Sequence, residues 1–202
     1  MFDALISLAV AAFLLLGSPG PAPLALAATG ATFGVRAGLP FLMGILAGLA
    51  MAIVGASLGL NAFFMAFPEA AIVVQLIGAA YMVFIAYKIA TAPVLVNQGA
   101  VENAVPTLGQ GFVLNLLNPK AYAAFFALFT QFLLPAENQM MSYVLTGLSC
   151  FVVAVVVDVV WLCLGGVIKP LFAKPKQARF LRVVFAVLML SSVAWAFIKA
   201  KL

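Results

Sequence analysis

Residues Met141–Ile168 read MSYVLTGLSCFVVAVVVDVVWLCLGGVI, an apolar run carrying a single charged side chain, Asp158. A lipid-spanning helix needs about 20 consecutive, mainly apolar residues, and this stretch exceeds that length. The remainder of the chain offers no polar shell in which such a run could hide. Of 202 residues, 67% are apolar and 7% are charged, with a mean hydropathy of +1.26. Soluble domains average about 45–50% apolar and about 25% charged. A soluble chain of this size must show a mostly polar surface. The solvent of this sequence is therefore lipid.

Outward from that run, five further apolar segments appear. The first is roughly Ala4 to Ala28, interrupted by Gly17-Ser18-Pro19-Gly20-Pro21-Ala22-Pro23. The second runs roughly from Gly38 to Leu60 and the third roughly from Phe67 to Ala90. The fourth covers about Gly111 to Leu134, with Asn115, Asn118, Pro119 and Lys120 inside it, and the sixth about Phe180 to Ala200. At about 20 residues each, six helices consume roughly 120–150 residues and leave only short loops. The expected fold is all-α and integral to the membrane, with six transmembrane helices in a single domain over residues 1–202. Its first half covers about 1–91, a linker about 92–110 holds Asn97, Gln98, Glu102, Asn103 and Pro106, and its second half covers about 111–202. Ala25-Leu26-Ala27 mimics a signal-peptidase site, but the early residues carry only Asp3 and no basic start.

Composition excludes much chemistry. With no histidine, a Ser-His-Asp triad, a His-ligated metal and a haem histidine are all absent. Cys150 and Cys163 share one span without metal-ligand spacing, and both are expected to be small buried apolar residues. An intramembrane aspartyl protease needs two carboxylates, whereas Asp158 stands alone, so no enzyme, metal site or cofactor is expected. The net charge of +5 sets topology rather than recruiting nucleic acid. Arg36, Lys88, Lys169, Lys174, Lys176, Arg179 and Arg182 fall in the loops of one side, against Lys199 and Lys201 on the other. Basic loops stay cytoplasmic, which places both termini outside. A lipid-headgroup patch is the other reading of the Lys169–Arg182 cluster.

Gly44-x-x-x-Gly48, Ala52 and Gly55-x-x-x-Gly59 form a stripe of small residues in the second span. Such stripes let helix backbones approach closely in lipid. Packing within the chain is the plain reading; a homodimer contact is the sharper one.

Two breaks and two charges point to function. Pro19 and Pro21 cannot donate backbone hydrogen bonds, and each disfavours helix for the residue before it. A broken helix in lipid must be shielded by protein or line a cavity. Asn118-Pro119 breaks the fourth span in the same way. Both breaks fall in the first helix of a three-helix half, and an odd number of spans makes the second half enter inverted. That is the plan of a transporter built from two inverted repeats with broken first and fourth helices. Asp158 at the centre of its span costs at least roughly 2.5–3.5 kcal/mol on insertion scales. Lys120 lies about nine residues inside its own span, roughly 13 Å at helical rise. The pair either locks two helices together or forms a substrate or proton site. An amino acid would offer its ammonium to Asp158, and its carboxylate to Lys120 or to backbone N–H groups after Pro21. Protonation of Asp158 would release the ammonium, which couples proton uptake to export. The expected substrate-binding set is Pro19, Gly20, Pro21, Asn115, Asn118, Lys120 and Asp158. An inorganic-cation exporter and a non-transporting membrane scaffold are the alternatives.

The chain also resembles the lysine-exporter (LysE/RhtB) family of amino-acid exporters. The likeness lies in Pro19-Gly20-Pro21, Gly34-Val35-Arg36-Ala37-Gly38, Gly78-Ala79-Ala80-Tyr81, Asn118-Pro119-Lys120 with Phe125-Phe126, and Asp158 with Trp161. It departs at Ala22, where family members often carry Asn or Asp, and at Thr130-Gln131-Phe132, where they often carry Pro-Gln-Phe. Ala186, Ser191 and Ser192 stand where the last span often has glycines. The resemblance implies export of amino acids or close derivatives across the cytoplasmic (inner) membrane, driven by the proton-motive force.

Overall fold

A computed structural model describes residues 1–59, 66–91, 105–168 and 175–200 of the chain. Among these the regular elements are eight α-helices: α1 (Phe2–Gly17), α2 (Pro21–Phe33), α3 (Val35–Ser57), α4 (Pro68–Thr91), α5 (Leu108–Leu116), α6 (Pro119–Gln131), α7 (Gln139–Ile168) and α8 (Pro175–Ala200). By length and composition α3 and α7 can each cross a membrane, and so can each of two bent pairs taken as one span. The pair α1–α2 bends by 64° and α5–α6 by 57°. Both bends fall at the prolines and Asn118-Pro119 that mark the breaks in the sequence. The polar residues Asn97, Gln98, Glu102 and Asn103 of the linker lie outside the described residues, as do Lys169 and Lys174.

α7 shows how the apolar composition is divided. Cys150, Ala154, Asp158, Leu162 and Gly165 face inward and are buried, while Leu148, Val152, Val156, Val160 and Leu164 are exposed along the opposite stripe. The spacing of three and four residues is one helix face. The outward stripe is as apolar as the inward one, as lipid rather than water would require. Cys163 is exposed, against the expectation that both cysteines are buried. Thirteen residues separate it from the buried Cys150, about 3.6 turns, so the two point to nearly opposite sides.

α2 sits at the centre, buried at every position from Pro21 to Thr32. Its alanines and Gly30 keep it thin enough to be surrounded. It packs on α7, α8 and α3. A Cβ on Gly30 would meet the Leu162 carbonyl oxygen at 2.2 Å, and one on Gly165 would meet that of Ala27 at 2.1 Å. The α3–α5 contact is built the same way, with Gly44 against the backbone of Leu108 and Gly111 against that of Phe41. Gly44 and Gly48 are thus used in packing within the chain, the plainer reading of the stripe.

Two helices start earlier than the sequence suggests. α3 opens at Val35 rather than Gly38 because Gly34, at φ 93°, reverses the chain in one residue while its N–H caps α2 at the Gly30 carbonyl. Glycine adopts that φ without penalty. α8 begins at Pro175 rather than Phe180, since proline is favoured in the first turn. Arg182 therefore belongs to a helix rather than a loop, and it is 2% exposed. Burial removes it from the loop charges that set orientation.

Candidate functional site

The two breaks are stitched to one another. A helix end leaves its last carbonyls without intrahelical partners, and inside a membrane other groups must satisfy them. At the end of α1, Ser18 Oγ donates to the Leu15 carbonyl at 2.9 Å. The Trp161 indole of α7 donates to the Gly17 carbonyl at 3.2 Å, and Lys120 Nζ donates to the Ser18 carbonyl. The ammonium thus sits at the negative end of α1, where the helix dipole favours a cation. Its stem lies across Gly20: a Cβ there would come 2.7 Å from Lys120 Cδ and 2.9 Å from Nζ. The first break is closed by a side chain from the second.

The second break is self-capped. Asn118 Oδ1 accepts from the Lys120 backbone N–H at 3.1 Å, and Asn118 Nδ2 donates to Asn115 Oδ1 at 3.3 Å. Asn115 Nδ2 donates in turn to the Ile45 carbonyl of α3 at 3.1 Å, and Tyr122 Oη donates to the Leu116 carbonyl at 2.7 Å. Both asparagines are buried, at 1% and 4% exposure. The first break has no such cap. α2 starts at Gly20 without a side-chain acceptor, and Pro21 and Pro23 carry no N–H. The Leu24 N–H is already bound to the Gly20 carbonyl. The row of backbone donors expected after Pro21 therefore shrinks to that of Ala22 in this first turn. Two prolines in three positions remove the rest.

Between the breaks lies a cavity of about 30 Å³. Its polar lining is Asn115, Asn118, Lys120 and Asp158. Its hydrocarbon lining comes from Leu16 of α1, Ala22 and Pro23 of α2, Leu49 of α3, and Ala121 and Ala154. Four of the residues singled out in the sequence meet here. Gly20 is at the rim beneath Lys120 and Pro21 is buried beside it, while Pro19 is exposed. Nothing in the sequence marks the apolar wall, and Ala22 stands out there only as a departure from the family pattern.

Asp158 is 6% exposed and faces this cavity, and among the described residues no hydrogen-bond donor reaches its carboxylate. Lys120 and Asp158 feel one another's charge. They do not form the direct lock that was one reading of the sequence: no ion pair joins them, and the ammonium donates to the Ser18 carbonyl. The arrangement is a half-buried cation and a deeply buried anion on either side of a small, mainly apolar space. Its chemical capacity is to bind a group of each sign.

Comparison with known proteins gives the family. The chain is 27% identical over 176 residues to a protein of Salmonella typhimurium strain LT2 named homoserine/homoserine lactone efflux protein, covering 86% of this chain and 85% of that one. A protein of the same name from Salmonella typhi matches at the same identity and coverage. No solved structure gives a significant match. The family model described as LysE type translocator matches residues 13–200. The chain belongs to the LysE type translocator family, and it is a membrane transporter rather than an enzyme.

Proposed function

We propose that the protein is a secondary active exporter of an amino acid or amino-acid derivative across the cytoplasmic membrane, coupled by antiport to protons through Asp158. The observation that carries this reading is a carboxylate 94% withdrawn from solvent (6% exposed), without a hydrogen-bond donor among the described residues, in one cavity with Lys120. A charge kept at such cost in a membrane helix has a use there. The names of the relatives support an amino-acid cargo. Seating an amino acid then moves Lys120 off Ser18 and opens the seam between the breaks. Protonation of Asp158 withdraws the partner of the bound ammonium and completes the exchange.

In this reading six spans, α1–α2, α3, α4, α5–α6, α7 and α8, form two inverted three-helix repeats. Reciprocal packing supports it: α3 of the first half meets both pieces of the second half's broken span, α5 and α6, α7 of the second meets both α1 and α2 of the first, and α4 meets α8. Purified protein in proteoliposomes is expected to release homoserine, or another amino acid of a small panel, faster when the outside is made acid. A protonophore should abolish the acceleration. Release no faster than from protein-free liposomes, for every amino acid tried, overturns the export reading.

In this reading Arg36, Lys88, Lys169, Lys174, Lys176 and Arg179 lie on the cytoplasmic side and both termini lie outside. Single cysteines introduced near residues 98 and 175, with the exposed Cys163 replaced by serine, are expected to react in spheroplasts only with a permeant reagent. Labelling by an impermeant reagent would show the opposite orientation.

A further inference from the structure

The cavity also bears on which amino acid it takes, an inference resting on the export reading above. Part of its hydrogen-bonding capacity is spent within the protein. Asn118 Oδ1 and Nδ2 are bound to the Lys120 N–H and to Asn115 Oδ1, and Asn115 Nδ2 is bound to the Ile45 carbonyl. The charges available to a ligand are the Lys120 ammonium, which can exchange the Ser18 carbonyl for a carboxylate, and the Asp158 carboxylate. The rest of the wall is uncharged and mostly hydrocarbon, with Leu16 and Leu49 the bulkiest groups.

We propose that this cavity selects α-amino acids of zero net charge with small apolar side chains, and rejects basic amino acids, acidic amino acids and amino-acid lactones. A zwitterion brings one carboxylate to Lys120 and one ammonium to Asp158, so all four charges are paired. A basic side chain adds a cation for which the wall holds no second carboxylate. An acidic side chain adds an anion with no second ammonium. A lactone has its carboxyl group closed into an uncharged ring ester, which leaves Lys120 without a counter-charge once it has left Ser18. Unpaired charge in a water-poor site carries a large penalty. A side-chain hydroxyl is a smaller matter, since an apolar pocket rejects an added hydroxyl only weakly. Norvaline, which carries a methyl where homoserine has its hydroxyl, should therefore leave at least as fast as homoserine.

The test uses the wild-type full-length chain in proteoliposomes loaded separately with norvaline, homoserine, homoserine lactone, lysine or glutamate. Release is read above that of protein-free liposomes. Norvaline and homoserine are expected to exceed the other three by about tenfold or more, equivalent to about 1.4 kcal/mol. Lysine, glutamate or the lactone leaving at a rate closer than that to norvaline overturns the charge-matching proposal while leaving export intact. Homoserine leaving faster than norvaline overturns the apolar part of it. Release of none of the five overturns the export reading and this inference with it.

Discussion

Asp158→Asn is expected to insert and fold like the parent chain while its proton-driven efflux falls by about a hundredfold, equivalent to about 2.7 kcal/mol. Asparagine keeps the size of the side chain and can still accept a hydrogen bond, but it removes the charge and the titratable proton together. A hydrogen bond to a charged group is worth roughly 1.5–3 kcal/mol, so losing the partner of a bound ammonium accounts for most of that fall. Folding should survive because Lys120 does not depend on Asp158 for a direct partner: its ammonium is held by the Ser18 carbonyl at the end of α1. A purely structural pair predicts the reverse. Breaking it would strand Lys120 at a cost of roughly 3–5 kcal/mol, and Lys120→Met in the same molecule would restore folding. Thermal unfolding in detergent and efflux from proteoliposomes separate the two. A well-folded Asp158→Asn protein with undiminished proton-driven efflux removes Asp158 from the mechanism.

The breaks and the lone carboxylate were legible because each violates a local rule. Proline within an apolar span forbids a continuous helix, and Asp158 among valines is costly in lipid whatever surrounds it. The sequence therefore marked two places that the fold brings together. It did not mark how they meet. The bond from Lys120 to the Ser18 carbonyl spans 102 positions and joins a side chain to a backbone group, so no residue type at position 18 announces it. The apolar wall was equally silent. Leu16, Leu49 and Ala154 differ in no local way from the apolar residues that face outward. Cys163 and Arg182 failed for opposite reasons. The helical period sets Cys163 nearly opposite Cys150, whereas apolar surroundings alone suggest burial for both. Arg182 reads as a loop cation because the apolar run begins only at Phe180, whereas α8 already covers Pro175, five residues earlier.

Gly44→Ala is expected to lower thermal stability in detergent by an amount at the upper end of the roughly 1–3 kcal/mol typical of overpacking. The new methyl group would lie 1.9 Å from the Leu108 carbonyl oxygen, 2.8 Å from its carbon and 2.9 Å from the Phe112 nitrogen. All three are backbone atoms, so no side chain can swing away, and α3 and α5 must separate as rigid bodies. That separation propagates. Gly48 rests on the Phe112 carbonyl, and Gly111 on that of Phe41, along the same seam. In lipid the loss is direct, because close van der Waals packing rather than burial from water holds two apolar helices together. Gly109→Ala is the matched control, on the same short helix α5 but exposed. Its nearest neighbour would be Thr107 Oγ1 at 4.0 Å, and alanine there gains up to about 1 kcal/mol of helix propensity. If Gly44→Ala and Gly109→Ala unfold at the same temperature, the α3–α5 seam is not a close backbone contact. Gly111→Ala supplies a second check: added to Gly44→Ala it should cost less than the sum of the two single changes, because one parting of α3 from α5 relieves both clashes.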